Sequence, residues 1–206
     1  MTESQPQQVP ATPRPTSGDA VELILQDHRH FEGLLRVLRD ATSDREAARA
    51  ALSDVLIAHG EAEESEVYPQ LRRKRAITKG EEEHGEKEHA EGNQALLALL
   101  ECKGTDTQKF DDAVEQLATA LNHHIGEEEQ TILNPARTEV GEEVRQRLGA
   151  AWAAKRNQLL DEGCGSIDNV RAIVERDEDE GLLPAEGEEA EGEEAGEKAG
   201  TGRSGG

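Results

Sequence analysis

Aromatic residues are nearly missing from this chain: Phe31, Tyr68, Phe110 and Trp152 are the only four in 206 residues. Apolar residues of all kinds make up 34%, and the longest uninterrupted apolar run covers residues 95–100. A membrane-spanning helix needs about 20 such residues, so none is expected. Bases are also scarce. There are 23 Lys and Arg against 45 Asp and Glu, a formal net charge of −22, which argues against general nucleic-acid binding because that needs a basic face. Two cysteines, Cys102 and Cys164, are too few for a disulfide framework or a Cys-based zinc site. They read as free, incidentally packed thiols in a reducing, cytoplasmic compartment. The opening MTESQPQQVP has no charged stretch followed by an apolar one, so no secretory leader is expected. Runs of β-branched residues are lacking as well, which leaves helix as the regular structure the pattern supports.

The polarity is unevenly placed. Residues 177–206 hold eleven acids against Lys198 and Arg203, with eight of the 20 glycines, and residues 1–18 hold four of the seven prolines. Both ends are predicted to be disordered. The acidic tail reads as a solubilising segment, with weak gathering of cations or binding of a basic partner as alternatives. Between the ends lies enough Leu-, Ala- and Glu-rich chain for one modest core.

Apolar residues there recur at three and four, the helical period. Helices are predicted over 19–41, with Asp19 as cap, and over 43–74, where Pro69 should kink the helix or end it early. Others follow over 79–102, closed by Gly104, and over 107–134, stopped by Pro135. A fifth over 141–161 carries Val144, Leu148, Trp152 and Leu159, and covers one side of the bundle or mediates a dimer; a short one is read over 167–175. The expectation is an all-α protein: an antiparallel up-down-up-down four-helix bundle over 19–136, an accessory helical segment over 137–176, and disordered tails.

The middle of the chain repeats itself. HGEAEE from His59, with Tyr68 and Pro69 behind it, is matched 65 residues on by HIGEEE from His124, with Leu133 and Pro135 behind it. Asp27-His28 on the first helix is echoed by Glu88-His89 on the third. A helix advances about 100° per residue. That phase puts His28, His59, His89 and His124 on the apolar stripes of four different helices, with Glu63 and Glu128 one turn beyond the second and fourth histidines. Burying six such groups without partners costs several kcal/mol, and a metal offsets that cost directly. Imidazole and carboxylate suit iron, zinc and manganese alike. Six ligands exceed one tetrahedral site, so two ions bridged by the glutamates are the economical reading. Open positions then remain for hydroxide, dioxygen, peroxide or nitric oxide. Asp27 and Glu88, next to their histidines, are candidates to orient the imidazoles. Glu64 and Glu129 read as surface or supporting residues, and His30 and His123 as solvated. His123 with Glu127 also has ligand spacing, so a rotated fourth helix is a local alternative.

The pattern resembles the hemerythrin-like, or HHE cation-binding, family over roughly residues 19–136, on the Asp-His, HGEAEESEVYP, Glu-His and HIGEEEQTIL segments. The resemblance implies an antiparallel four-helix bundle with a non-haem di-iron centre held by His28, His59, Glu63, His89, His124 and Glu128. Members of the family carry oxygen, sense oxygen or iron, repair iron–sulfur clusters with nitric oxide or iron, or decompose peroxide. The oxygen carriers have a His-x-x-x-His on the third helix; here Gly85 stands four before His89, Asn93 four after, and His84 about 140° round the helix. Reversible oxygen carriage is therefore disfavoured against the redox and repair branches. Three readings stand: binding of iron and a small ligand in sensing, storage or stress protection; an enzyme for peroxide decomposition or nitric-oxide-linked iron–sulfur repair; and a metal-free helical interaction protein. A ferritin-like site ranks lower, because its Glu-x-x-His pairs should lie on two helices and both fall on the third here.

Overall fold

The computed structural model describes residues 6–184. It is all-helical, with no strand among the described residues. The helices are α1 (Ala20–Leu38), α2 (Arg45–Ala62), α3 (Tyr68–Arg73), α4 (Lys79–Leu100), α5 (Gln108–Glu128), α6 (Asn134–Glu139), α7 (Glu142–Glu162) and α8 (Ile167–Asp179). Polar side chains set several starts. Asp19 accepts from the Val21 amide, Asp44 from Ala47, and Thr107 from Phe110, while Thr78 and Glu81 form a reciprocal capping box. Gly163 closes α7 in the left-handed region at φ 68°. No helix among the described residues is long and apolar enough to cross a membrane.

Helices α1, α2, α4 and α5 enclose the core, α1 packing on α2 and α4 on α5. Helix α7 lies against α1 and α2, and α8 against α4. The fifth predicted helix thus covers one side of the bundle. The apolar core has two main parts. One holds Phe31, Leu34, Leu52, Leu96, Phe110 and Leu117; the other holds Ile24, Tyr68, Leu71, Ile132 and Trp152. The histidine and glutamate positions fall between them along every helix, forming a polar layer inside an apolar bundle.

The helix predicted over 43–74 runs on through Pro69 to Arg73 after an interruption, whereas Pro135 departs from the stop expected of it. Neither Pro69 nor Pro135 ends its helix. A π-helical turn, Glu63–Val67, joins α2 to α3, and a second, Glu129–Leu133, joins α5 to α6. Across them the Tyr68 amide reaches back to the Glu63 carbonyl and the Asn134 amide to that of Glu129, five residues earlier. The widened turn relieves the ring clash that proline makes with an α-helical carbonyl, so each chain continues for a further turn.

The N-terminal boundary also differs. Residues 6–18, predicted to be disordered from their prolines, lie extended on the bundle: the carbonyl of Pro13 accepts from Arg156 Nη1 and that of Pro15 from Asn157 Nδ2. Proline favours the extended conformation that leaves these carbonyls free to accept. At the other end α8 runs to Asp179 and Leu183 is buried. The predicted acidic tail lies outside the described residues from position 185 on, as do residues 1–5. Cys102 and Cys164 are free and buried, and burial pushes the Cys164 thiol up to about 11.

Candidate metal centre

All six predicted residues converge. His28 comes from α1, His59 from α2, His89 from α4 and His124 from α5; Glu63 opens the first π-turn and Glu128 ends α5. Each is buried. Two overlapping groups, His28, His59, His124 and Glu128, and His59, Glu63, His89 and His124, each bring their donor atoms within 4.8 Å of one another. The Nε2 atoms point inward. Those of His59 and His89 lie 3.1 and 3.3 Å from Glu63 Oε2, and those of His28 and His124 lie 3.0 and 3.8 Å from Glu128 Oε2. None of these four nitrogens has a hydrogen-bond partner, and neither have Glu63 Oε1 and Oε2 or Glu128 Oε2.

The Nδ1 atoms face outward, each to a different carboxylate. His28 Nδ1 lies 3.0 Å from Glu129, His89 Nδ1 2.7 Å from Glu64, His59 Nδ1 3.4 Å from Asp27 and His124 Nδ1 3.4 Å from Glu88. With Nδ1–H donated outward, each ring leaves Nε2 bare toward the interior, the arrangement that orients and strengthens a histidine ligand. The internal repeat is visible in space: the second acid of each His-x-x-x-Glu-Glu serves the histidine of an Asp-His or Glu-His pair, and the acid of each pair serves the histidine of the other motif. The expectation that Asp27 and Glu88 orient their own neighbours is thereby corrected. Consecutive side chains diverge on a helix, so Asp27 serves His59 and Glu88 serves His124.

The electrostatics follow from this packing. Burial opposes charge on His59, but Glu63 and Asp27 outweigh it and raise its pKa to about 9. Burial opposes charge on His89 too, and Glu63 and Glu64 hold it well above the usual range. Burial and the neighbouring His89 lower His124. Burial works against ionised Glu63, yet His59 and His89 hold it well below the usual carboxylate range.

The remaining histidines divide. His123 is exposed as expected, and His84 is half-exposed; both approach Glu88 Oε1, at 3.4 and 3.5 Å, from outside the cluster. His30, expected to be solvated, is buried, because α1 is covered on the flank that α7 occupies as well as on its core face.

Two residues escaped the pattern reading. Tyr68 donates from its hydroxyl to Glu128 Oε1 at 3.0 Å and stacks on His89, with ring centroids 5.8 Å apart. Its ring also explains Gly85: a Cβ there would come within 3.0 Å of Tyr68 Cε2, so the tyrosine lies against the place where the oxygen carriers' extra histidine would start. Tyr68→Phe should leave Glu128 Oε1 buried without its donor and cost the metal-free protein about 1–3 kcal/mol, read by urea denaturation. The other residue is Arg156 on α7. It is fully buried and grips Asp27 through both carboxylate oxygens at 2.5 and 2.8 Å. Its signal was an arginine in phase with Leu148 and Trp152 on an otherwise apolar stripe.

A family model for the hemerythrin HHE cation-binding domain matches residues 19–135. The chain belongs to that family. No curated protein and no solved structure matches it. The matched residues supply all six converging side chains, while Arg156 and Trp152 lie beyond them. As a hemerythrin HHE domain the protein binds metal cations, and the buried His/Glu clusters are placed to hold them.

Proposed function

We propose that His28, His59, Glu63, His89, His124 and Glu128 hold two iron ions inside an antiparallel up-down-up-down bundle, and that the protein binds a small ligand there in sensing, storage or stress protection. The observation that carries this reading is the set of four buried Nε2 atoms converging on Glu63 Oε2 and Glu128 Oε2, with no hydrogen-bond partner for any of these six atoms. Such groups are costly to bury alone. The closer ring pairs, His28 with His59 at 5.3 Å and His89 with His124 at 4.6 Å, would each offer two imidazoles to an ion, and Glu63 and Glu128 would supply the carboxylates. When bound, a di-iron pair supplies redox chemistry and open positions for dioxygen, peroxide or nitric oxide. The protein's part is to keep the imidazoles oriented through Asp27, Glu64, Glu88 and Glu129, to hold the Tyr68 hydroxyl proton against Glu128, and to exclude water with two apolar layers.

Metal content and the optical spectrum of freshly purified protein test this. Two irons per chain, with near-ultraviolet absorption from an oxo-bridged pair, are expected in the wild type, and loss of both in His59→Ala/His124→Ala. A protein that is isolated empty and refuses ferrous iron under anaerobic reconstitution would sink the reading.

A further inference from the structure

The two sides of the centre are enclosed differently. On the His28/His59 side, Trp152 meets the His59 ring edge-on at 5.9 Å and Phe31 meets it at 4.9 Å, both fully buried, and Arg156 fills the space behind Asp27. On the opposite side a cleft of about 370 Å³, open space at its mouth included, leads between α2, α4 and α5 to His89 and His124. Both of these rings are buried and present an Nε2 without a partner. Gly60 and Gly92 line the cleft, and its charged residues are Glu61, Glu64 and Glu88, with no lysine or arginine among them. Arg176 reaches Glu61 from α8 at 3.0 Å, and Asn93 ties α4 to Asp177 of the same helix.

Building on the di-metal reading, we propose that this cleft is the access route and pocket for the small ligand, which arrives on the His89/His124 side and is selected to be uncharged: nitric oxide, dioxygen or hydrogen peroxide rather than an anion. Arg176 offsets Glu61 at the mouth, so Glu64 and Glu88 on the low-dielectric walls are the carboxylates that repel an approaching anion while leaving a neutral diatomic unaffected. The pocket can also be plugged cleanly. A Cβ at Gly92 meets nothing within 4 Å, so a side chain there grows into the cleft, whereas a Cβ at Gly60 would press on His89 at 3.3 Å. Gly126 is exposed, equally unobstructed and away from the cleft, which makes it the control.

The test has two arms. In chelated wild-type protein, carbethoxylation mapped by mass spectrometry should reach His124 before His28 or His59; Gly92→Phe should slow it about tenfold and Gly126→Phe should not. In iron-loaded protein, Gly92→Phe should slow nitric-oxide association by about tenfold at unchanged iron content and melting temperature, and Glu61→Lys should raise the azide rate several-fold without altering that of nitric oxide. Modification of His28 first, or equal nitric-oxide rates in wild type and Gly92→Phe, would overturn the route. Equal responses of azide and nitric oxide to Glu61→Lys would overturn the selection by charge. If the protein takes no iron, the di-metal reading fails, and the carbethoxylation arm alone still decides whether this cleft is the way in.

Discussion

Arg156→Leu should destabilise the protein by about 3–5 kcal/mol, although its hydrogen bonds go to Asp27 and Pro13 rather than to the six converging residues and it lies outside the matched family segment. The replacement fills much of the same space. What it removes is the guanidinium that grips both oxygens of the Asp27 carboxylate, which is buried and otherwise faces His59 Nδ1 at 3.4 Å. A buried carboxylate deprived of its partner keeps its desolvation cost and loses the attraction that offset it. The guanidinium also donates to the Pro13 carbonyl and lies over the Trp152 ring, 5.4 Å from its centroid, so the strap at residues 6–18 and the α7 face loosen together. Against a total stability of about 5–15 kcal/mol the loss is large. Urea denaturation of chelated protein reads it directly. A double-mutant cycle identifies the cause: Asp27→Leu added to Arg156→Leu should recover part of the loss, because it removes the stranded charge. Arg156→Lys should be intermediate, since one ammonium cannot match the two-pronged grip. Loss of the Asp27 support should also weaken metal binding about 10–100-fold. A single variant as stable as wild type would show that α7 is a passenger.

Arg156 also marks where the sequence is legible. Phase alone locates His28, His59, His89, His124, Glu63 and Glu128, because a residue's face on a helix depends only on its number and on an uninterrupted 100° step. Arg156 shares its phase with Leu148 and Trp152 on α7 yet escaped that reading, because its partner, 129 residues away, is a matter of which helices dock. His30 fails for that reason. It is off the stripe of an isolated helix, yet α1 is covered on two sides. Asp27 and Glu88 fail more subtly, since their role is visible and their partner is not. The π-turns are hidden because Pro69 and Pro135 carry a generic stop signal, and only the five-residue hydrogen bonds before them show that the helix widens and continues. The strap is hidden because proline-rich composition describes a chain without a partner, and here the partners are Arg156 and Asn157.

Removing the metal should lower the melting temperature, and the gap between loaded and chelated protein should widen as pH rises from about 6.5 to about 9. A ligand held at about 1,000 times its dissociation constant stabilises the folded state by about 4 kcal/mol, or roughly 10 °C in melting temperature for a chain of this size. The pH dependence comes from the protons that occupy the centre when the metal is gone. Burial disfavours His59 in its charged form, but Glu63 and Asp27 prevail and lift its pKa to about 9, against about 6.5 in the unfolded chain. The contribution of that charged pair to the metal-free fold is therefore complete below about 6.5 and is lost as pH climbs through about 9. His89, raised by Glu63 and Glu64 in spite of its burial, acts in the same direction. Metal binding needs the unprotonated rings, so the ion must displace these protons, and its affinity climbs over the same interval. The metal-free fold thus weakens over the same interval in which the metal is held more tightly, and both follow from one competition between ion and protons. Paired thermal melts with and without chelator at pH 6.5, 7.5 and 9 measure the gap, and the single tryptophan, 5.9 Å from His59, offers an independent fluorescence reading of loading. A gap that narrows toward pH 9 would mean that the ion is not competing with protons at His59 and His89. No gap at any pH would mean that the six buried groups are satisfied by one another, with Glu63 shared between two imidazolium rings in place of a metal.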